Sequence, residues 1–228
     1  MHPIPHPLSL LALQETTLLL DGIAYTCVRE LGRGKSAISW LYQRQGSDSR
    51  LPEQVVLKRY CSTESQIIPF AQILEFELCS YLRLGQSGIA HPQLLGYSEE
   101  HYCLAKEYIA GELIVDIQQR EGLDDRHFRA MLTMADSLKQ AGWHVDFFPT
   151  NFVLNAAGLH YIDYEAHPYD EEWNFQNWGI FYWLNREGMA AYLASGDVAH
   201  INKPGQPKPL EQPFLRQRES VLRRLQAG

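Results

Sequence analysis

The sequence has no apolar run long enough to cross a membrane, few cysteines and no concentration of positive charge. Its first apolar stretch, residues 8–13, has no Lys or Arg before it and stops at Gln14, too soon for a signal peptide or a spanning helix. We therefore expect no membrane partner. Residues 1–14 contain three prolines and are expected to form an extended arm.

Cysteine content and charge exclude further classes of protein. The four cysteines are far apart and form no C-x-x-C motif, so neither a zinc site nor a disulfide framework is indicated, and a reduced, cytoplasmic location is expected. The net charge is −7, whereas nucleic-acid binding requires a basic surface, so no nucleic-acid partner is expected. Four arginines near the end alternate with Glu219 and apolar residues, which predicts an amphipathic terminal helix over residues 214–226.

The most informative segment is H-V-D-F-F-P-T-N at residues 144–151, followed twelve positions after Asn151 by Asp163. Phosphoryl transfer requires a carboxylate for the acceptor hydroxyl, and an amide and a carboxylate for Mg²⁺. Asp146 and Asn151 would lie at opposite ends of one short loop, where the carboxylate faces the hydroxyl and the amide turns toward a metal. The spacing points to a kinase, with an Asp-rich turn as the structural alternative.

Two glycines upstream are candidates for phosphate binding. Gly32 and Gly34 lie between strand-like runs at residues 25–31 and 38–43, so a hairpin turn is predicted. Glycines there let backbone amides approach phosphate oxygens. The match to G-x-G-x-x-G is partial because Ala37 replaces the third glycine, and a plain β-turn fits equally well. A Walker A loop is excluded because a helix should follow it rather than a strand.

A lysine interrupts the apolar strand predicted at residues 55–60. A lysine in such a place usually has an acidic partner, and Glu77, within an apparent helix over residues 67–84, is the natural candidate for Lys58. Glu75 is a rival, but it would point about 200° around the helix from Glu77. A surface lysine and a solvated glutamate are the alternatives.

Taken in order, these motifs resemble the protein-kinase-like superfamily over roughly residues 25–187. The resemblance implies that Gly32 and Gly34 bind the phosphates of ATP. It implies that Lys58 contacts the α and β phosphates as part of the catalytic machinery, and that Glu77 holds Lys58.

The resemblance also assigns the remaining site residues. Glu107, Tyr108 and Ile109 would form the adenine-binding hinge, and Asn151 with Asp163 would hold Mg²⁺. ATP and Mg²⁺ are therefore the expected cofactors, with Asp146 as the residue that orients and deprotonates the acceptor.

Several departures from protein kinases favour a small-molecule acceptor. Phe148 stands where protein kinases usually carry a basic residue, and D-Y-E at residues 163–165 resembles the D-x-E or D-x-D of aminoglycoside and choline kinase-like enzymes rather than D-F-G. Asn174, eleven positions after Asp163, stands for the Asp of their D-x-x-N helix start. That gap leaves no room for a peptide-docking segment, and its acidic residues favour a cationic or polyhydroxylated acceptor.

The expected fold is α+β, a single two-lobed protein-kinase-like domain in which 45% hydrophobic residues suffice for a core. The small lobe, residues 20–107, would contain five antiparallel strands and the helix carrying Glu77. The large lobe, residues 108–228, would be reduced and mainly helical, with a C-terminal helix. The expected activity is Mg²⁺-ATP-dependent phosphorylation of a hydroxyl on an unidentified acceptor. A Ser/Thr protein kinase and a nucleotide-binding pseudokinase are the alternatives.

Other conspicuous residues are expected to be structural. Apolar residues at helical spacing after Asp124 predict a core helix, capped by that residue, that leads to residues 144–151. Trp173, Trp178 and Trp183 are expected to pack around a following helix. His144 is expected to hydrogen-bond the backbone near Asp163.

Overall fold

The computed structural model describes residues 11–14, 17–34, 36–47, 49–61, 69–203, 205 and 208–227. These residues form an α+β structure with antiparallel sheets and six α-helices, which confirms the predicted class. The chain divides into two compact units. The first comprises the described residues up to Leu82 and Pro92–Ile109, and the second comprises Arg83–His91 and the described residues from Ala110 onward. A kinase-like arrangement of two lobes stays a prediction.

The first unit is built on one antiparallel sheet of seven strands, where we expected five. Its spatial order is β1-β2-β3-β4-β5-β7-β6. The strands are β1 (Leu11–Gln14), β2 (Thr17–Leu20), β3 (Ile23–Arg33), β4 (Ala37–Arg44), β5 (Gln54–Tyr60), β6 (Leu94–Ser98) and β7 (Cys103–Glu107).

The additional strand β2 is joined to β3 by a tight Asp-Gly turn. Asp21 and Gly22 both have positive φ, 51° and 75°, the geometry of the hairpin turns whose twist matches that of the flanking strands. Leu18 and Leu20 alternate inward along β2 and are buried in the hydrophobic core of the sheet. This burial explains why the sheet extends beyond the strands that the motifs predicted.

One long helix, α1 (Phe70–Ser87), follows β5. Residues 67 and 68, where we expected it to begin, lie outside the described residues, and it extends three residues past the predicted end. Leu74, Glu77, Tyr81 and Leu84 are buried, at the three- and four-residue spacing of one helix face. Glu77 is thus placed on the apolar face of the helix rather than on its solvated face.

The second unit is mainly helical, with short strands between the helices. Strand β10 pairs with β8 and β11, and β9 pairs with β12, all antiparallel. No helix in the described ranges is long and apolar enough to cross a membrane. The elements are β8 (Glu112–Leu113), α2 (Ile114–Arg120), α3 (Asp125–Gln140), β9 (Trp143–Val145), a 3₁₀ turn (Pro149–Asn151), β10 (Phe152–Asn155), β11 (Gly158–Tyr161), β12 (Ala166–Pro168), a π-helical turn (Phe175–Gly179), α4 (Ile180–Leu184), α5 (Arg186–Ser195), a 3₁₀ turn (Val198–His200) and α6 (Leu215–Ala227).

The helix before residues 144–151 is capped as predicted. The Asp124 carboxylate accepts hydrogen bonds from the backbone N–H groups of Arg126 and His127, and the His127 ring contacts the Asp124 backbone N–H, which completes a capping box. Phe128 and Met131 are buried on the inner face of α3. The predicted core helix is therefore confirmed.

The terminal helix α6 is attached to the second unit at two points. Arg224 makes a bidentate contact with the Asp125 carboxylate, which lowers the pKa of Asp125. Arg218 donates to the Gln176 carbonyl oxygen at 2.7 Å and to Asn177 Oδ1 at 2.8 Å. These contacts place α6 against α3 and the π-helical turn.

Gly111 is expected to be required for the stability of the second unit. A Cβ at this position would lie 2.6 Å from the Leu154 carbonyl oxygen and 2.6 Å from Val153 Cγ1 on β10. Gly111→Ala should therefore reduce the free energy of unfolding by about 1–3 kcal/mol, measured by urea denaturation. Gly85→Ala is the matched control, because an added Cβ there meets no described atom within 4 Å. Equal effects of both substitutions would contradict the prediction.

Candidate functional site

Lys58 on β5 and Glu77 on α1 form an ion pair within the first unit. Lys58 Nζ lies 2.7 Å from Glu77 Oε1, and the two side chains are only 13% and 8% exposed. Lys58 lies in the middle of the sheet, opposite Ser39 on β4 and Leu104 on β7. Glu75, the rival partner, is exposed. The predicted pairing is therefore confirmed, and Glu77 holds the lysine at the centre of the sheet.

Removing the charge of Glu77 should destabilise the first unit. Glu77→Gln takes away the carboxylate that compensates Lys58 at 2.7 Å in a largely desolvated position. We expect the free energy of unfolding to fall by about 2–4 kcal/mol in urea denaturation. Glu75→Gln, the same substitution at an exposed position of α1, should change it by less than about 0.5 kcal/mol. Similar losses for both variants would show that the ion pair has no special role.

The glycine turn between β3 and β4 has room for side chains. Gly34 N–H donates to the Ala37 carbonyl oxygen at 2.8 Å, which closes the predicted hairpin turn. Neither Gly32 nor Gly34 has positive φ. A Cβ on Gly32 would meet no described atom within 4 Å, and one on Gly34 only the Ala37 oxygen at 3.7 Å. Gly32 lies within β3, opposite Ser39, rather than in the turn as predicted, and Gly34 follows the strand. The backbone conformation therefore gives no reason for glycine at either position, whereas close approach of a phosphate gives one.

The predicted adenine-binding hinge is held by two glutamines of the first unit. Glu107 N–H donates to the Gln93 carbonyl oxygen at 2.9 Å, and Gln93 N–H donates to Glu107 Oε2 at 3.2 Å. Tyr108 N–H donates to the Gln54 carbonyl oxygen at 3.4 Å. Ile109 is the last residue of this unit before Ala110. The backbone of the segment is thus fixed, and its contact with adenine stays a prediction.

In the second unit, the loop that follows β9 holds the Asp146 carboxylate between two donors. Phe148 N–H donates to Asp146 Oδ1 at 3.2 Å, and Asn151 Nδ2 donates to Asp146 Oδ2 at 3.0 Å. The 3₁₀ turn at Pro149–Asn151 makes this possible, because it brings Asn151 back beside Asp146. The structure therefore brings the predicted base and one predicted metal ligand into direct contact.

The surroundings of Asp146 shift the pKa of its carboxyl strongly upward. Burial, together with the negative charges of Glu165 and Asp163, raises the pKa of the Asp146 carboxyl from 3.8 to about 7. The hydrogen bonds from Phe148 and Asn151 act in the opposite direction but do not cancel these effects. Asp163 and Glu165 are therefore within electrostatic reach of Asp146, and a carboxyl with a pKa near neutrality suits proton transfer.

Asp163 and Glu165 are each oriented by near neighbours in sequence. Asp163 Oδ1 accepts a hydrogen bond from Tyr164 N–H at 2.9 Å, and Glu165 Oε1 lies 3.0 Å from His167 Nε2. His167 is the cross-strand partner of His144, and the two rings stack at 5.5 Å. Burial and then the His167 charge lower the pKa of His144, while a hydrogen bond with the Pro168 backbone opposes this shift. His144 is therefore tied to β12 rather than to the backbone near Asp163.

Phe148 belongs to an aromatic cluster beside Asp146. Its ring lies 5.2 Å from that of Tyr182 and 5.6 Å from that of Tyr192, both nearly perpendicular to it. The Tyr182 hydroxyl donates to Asn202 Oδ1 at 3.1 Å. Burial raises the pKa of Tyr182, and the Asp146 charge contributes to the shift. Phe148, where the resemblance to protein kinases would lead one to expect a cation, is thus an apolar ring packed against two tyrosines.

The stretch between Asp163 and Asn174 is bound to its own unit. Residues 166–168 form β12 on β9, and Tyr169 N–H continues the pairing to the Gly142 carbonyl oxygen at 2.8 Å. Asn174 Oδ1 accepts from Asn177 N–H at 2.8 Å and so caps the π-helical turn. Sequence patterns did not predict β12, because its three residues include a proline and show no alternation.

The negative charge of this stretch is partly compensated. Glu171 Oε2 accepts a hydrogen bond from the Tyr169 hydroxyl at 2.7 Å and lies 3.3 Å from Lys139 Nζ. These contacts lower the pKa of Glu171, the tyrosine hydrogen bond most of all. Trp173 packs on Trp178 of the following helical turn, as expected, with ring centroids 4.0 Å apart, but it is 46% exposed. The acidic surface is therefore smaller than the sequence indicates, and it lies next to exposed indole.

The two predicted metal ligands, Asn151 and Asp163, fit Mg²⁺ bound together with a nucleotide better than a metal ion held by protein groups alone. Within the described segments, no group of three or more His, Cys, Asp or Glu could hold a metal ion. Mg²⁺ in nucleotide-dependent enzymes typically uses one or two protein oxygens and completes its shell with phosphates and water. Asn151 and Asp163 offer an amide and a carboxylate oxygen, and the negative charges of Glu165 and Asp163 near Asp146 favour a cation nearby.

The predicted site residues thus form two sets, one in each unit. Lys58, Glu77, the glycine turn and the hinge lie in the first, whereas Asp146, Asn151 and Asp163 lie in the second. That both sets bind one nucleotide stays a prediction. No protein-family model matches this sequence, and no curated protein matches it significantly.

Proposed function

We propose that the protein is a Mg²⁺- and ATP-dependent kinase that transfers phosphate to a hydroxyl group of a small molecule. The observation that carries this proposal is the contact between Asp146 and Asn151, in which a half-buried carboxylate is held 3.0 Å from the side-chain amide of a prospective metal ligand. This contact couples the group that would accept a proton to the group that would hold the metal.

The role of Asp146 follows from its surroundings. Its carboxylate would accept the proton of the acceptor hydroxyl as the oxygen attacks the terminal phosphate. The Phe148 N–H and the Asn151 amide fix the orientation of both carboxylate oxygens, so little rearrangement is needed before proton transfer. The raised pKa increases the affinity of the carboxylate for that proton.

Asn151 has the orientation that a metal ligand needs. An ionised carboxylate only accepts hydrogen bonds, so the contact with Asp146 uses the NH₂ end of the amide and turns Oδ1 away from Asp146. Asn151 Oδ1 and Asp163 would hold Mg²⁺, which when bound neutralises the charge that develops on the phosphates. Lys58, kept in the sheet by Glu77, would supply a further positive charge to the phosphates.

Two observations favour a small acceptor over a peptide. The stretch after Asp163 is paired to β9 and capped at Asn174, so it is short and occupied by contacts within its own unit. Phe148 and its aromatic neighbours occupy the position beside Asp146 where a cation would otherwise face the transferred phosphate. Exposed carboxylates such as Asp170 and Glu172 would attract a cationic or polyhydroxylated molecule.

The proposal is tested by phosphate transfer from labelled ATP. Purified protein, Mg²⁺ and labelled ATP are incubated in parallel with a small-molecule extract and with a Ser/Thr peptide library. We expect a labelled small molecule with wild-type protein and with Asp136→Asn, an exposed control on α3. Asp146→Asn should give none.

Each other outcome supports a different activity. Efficient labelling of peptides with a clear sequence preference would establish a Ser/Thr protein kinase instead. Binding of ATP without transfer to any acceptor, equal in wild type and Asp146→Asn, would overturn the proposed function and establish a nucleotide-binding pseudokinase.

A further inference from the structure

The loop that carries Asp146 lies against the π-helical turn Phe175–Gly179. The turn is defined by hydrogen bonds that span five residues: Gly179 N–H donates to the Asn174 carbonyl oxygen at 3.3 Å, and Ile180 N–H donates to that of Phe175. π-helical turns are rare and occur frequently at functional sites. Their extra residue rotates every later side chain relative to an uninterrupted α-helix, so the turn determines which residues face the loop.

The last residue of this turn, Gly179, and Trp183 on the helix that follows it both contact Phe147, the neighbour of Asp146. Trp183 Nε1–H donates to the Phe147 carbonyl oxygen at 2.9 Å, and both groups are buried. Gly179 approaches so closely that a Cβ there would lie 2.4 Å from Phe147 Cβ and 2.8 Å from its Cγ. Because residues four apart lie on one helix face, Gly179 and Trp183 both face Phe147.

Trp183 is itself rigidly held. The buried Gln118 side chain donates from Nε2 to the carbonyl oxygens of Tyr182 at 2.9 Å and Trp183 at 2.8 Å. The indole ring is 2% exposed. It packs against the rings of Phe128, Phe152 and Phe175, with centroids 6.2, 5.6 and 5.3 Å away.

One peptide plane connects this anchor to the carboxylate. The Phe147 carbonyl that accepts from Trp183 and the Phe148 N–H that donates to Asp146 Oδ1 belong to the same peptide group. A peptide group is planar, so fixing its oxygen also fixes the direction of its N–H. Accepting a hydrogen bond at the oxygen also polarises the group and strengthens the N–H as a donor.

We propose that Trp183 and Gly179 are positioning residues that orient the Asp146 carboxylate through the peptide group between Phe147 and Phe148. The catalytic consequence rests on the proposed function, whereas the structural consequence does not. Trp183→Phe deletes the indole N–H and retains an aromatic ring. Trp173→Phe is the matched control, because Trp173 is 46% exposed and stacks on Trp178 instead.

The first test measures amide hydrogen exchange by NMR and requires no enzymatic activity. In Trp183→Phe, the Phe148 amide should exchange about five to ten times faster relative to the Met131 amide on α3, the effect of one lost hydrogen bond. Dividing the exchange rate of the Phe148 amide by that of the Met131 amide corrects for a change in the stability of the whole protein. Trp173→Phe should leave the ratio unchanged. An unchanged ratio in Trp183→Phe would overturn the proposal.

The second test applies to the phosphate-transfer reaction. Trp183→Phe should lower kcat about five- to tenfold with an unchanged KM for ATP, because only the orientation of the acceptor's base is affected. A proportional loss from a smaller folded fraction would lower kcat but leave the exchange ratio intact, and would overturn the proposal. If no transfer is found but the Phe148 ratio changes, the proposed function fails and the positioning role stands.

A measurement on wild-type protein covers the case in which Trp183→Phe does not fold. The Trp183 Nε1–H and the Phe148 amide should then show matching protection from exchange, since both depend on the same peptide group. Rapid exchange of the indole N–H beside a protected Phe148 amide would overturn the proposal.

Discussion

Asp146→Asn is expected to abolish phosphate transfer and, at the same time, to make the metal-free protein relatively more stable as pH rises. Loss of the general base should reduce kcat by about 10²–10⁴-fold, since asparagine cannot accept the proton of the acceptor. The assay is transfer of label from ATP to the small molecule that the wild-type protein phosphorylates in the extract experiment. Binding of ATP should be nearly unchanged, because Asp146 serves the acceptor rather than the nucleotide.

The stability effect follows from the direction of the pKa shift. The carboxyl has an ordinary pKa of 3.8 when unfolded and about 7 when folded, so the folded state binds more protons between these values. Stability contributed by the protonated group is therefore present below about pH 4 and is lost as pH rises toward 7. Above pH 7 the wild-type protein carries a partly desolvated charge that the asparagine variant lacks.

Measuring the unfolding free energies of both proteins at two pH values isolates the contribution of the Asp146 carboxyl. Between pH 5 and pH 8, the unfolding free energy of Asp146→Asn relative to wild type should rise by about 2 kcal/mol in urea denaturation with EDTA, a value reduced for the partial exposure of the side chain. Any pH-independent cost of disturbing the Asn151 hydrogen bond cancels in this difference. Asp136→Asn should show no such rise. A pH-independent difference for Asp146→Asn would show that the carboxyl titrates normally.

Asp163→Asn should weaken binding of Mg²⁺-ATP at least about tenfold and leave binding of metal-free adenosine nearly unchanged. The reason is that Asp163 would act through the metal, and the metal through the phosphates, which adenosine lacks. Asparagine retains an Oδ1 that can accept the hydrogen bond from Tyr164 N–H. Isothermal titration calorimetry with both ligands provides the measurement.

The matched control for this substitution is Asp170→Asn. Asp170 is an exposed carboxylate seven positions later whose Oδ1 accepts from Glu172 N–H, a contact that asparagine also retains. Asp170→Asn should bind Mg²⁺-ATP and adenosine with the affinities of the wild-type protein. Equal losses of Mg²⁺-ATP and adenosine affinity in Asp163→Asn would show that Asp163 is not a metal ligand.

The sequence predicted the contacts that depend on local periodicity. The helical period placed Glu75 and Glu77 on different sides of α1, so only one of them could face Lys58, and the structure shows that it is Glu77. The five-residue spacing of Asp146 and Asn151 likewise predicted one short loop. In both cases few conformations satisfy the pattern. The hydrogen bond between the side chains of Asp146 and Asn151 was not predicted, because it depends on the 3₁₀ turn at Pro149–Asn151.

Other features were missed for different reasons. The Asp21-Gly22 turn is a strong hairpin signal between apolar runs, so β2 follows from local turn chemistry although it lies outside the kinase-like motifs. The contact of Trp183 with Phe147 spans 36 positions and depends on the extra residue of the π-helical turn. No local pattern encodes such a contact, because it arises only when separate elements pack together. The arrangement of the two units as kinase lobes stays a prediction for the same reason.

The aromatic cluster at Phe148 bears on the hydrolysis of ATP by water when no acceptor is bound. A base that can deprotonate an alcohol can also deprotonate water, and a kinase open to solvent therefore hydrolyses ATP when no acceptor is bound. The Phe148 ring, held by Tyr182 and Tyr192, adds hydrocarbon to the loop that carries Asp146, where lysine or arginine would bring its own hydration shell. Under the proposed function, having phenylalanine rather than a cation at position 148 also limits the hydrolysis of ATP while no acceptor is bound.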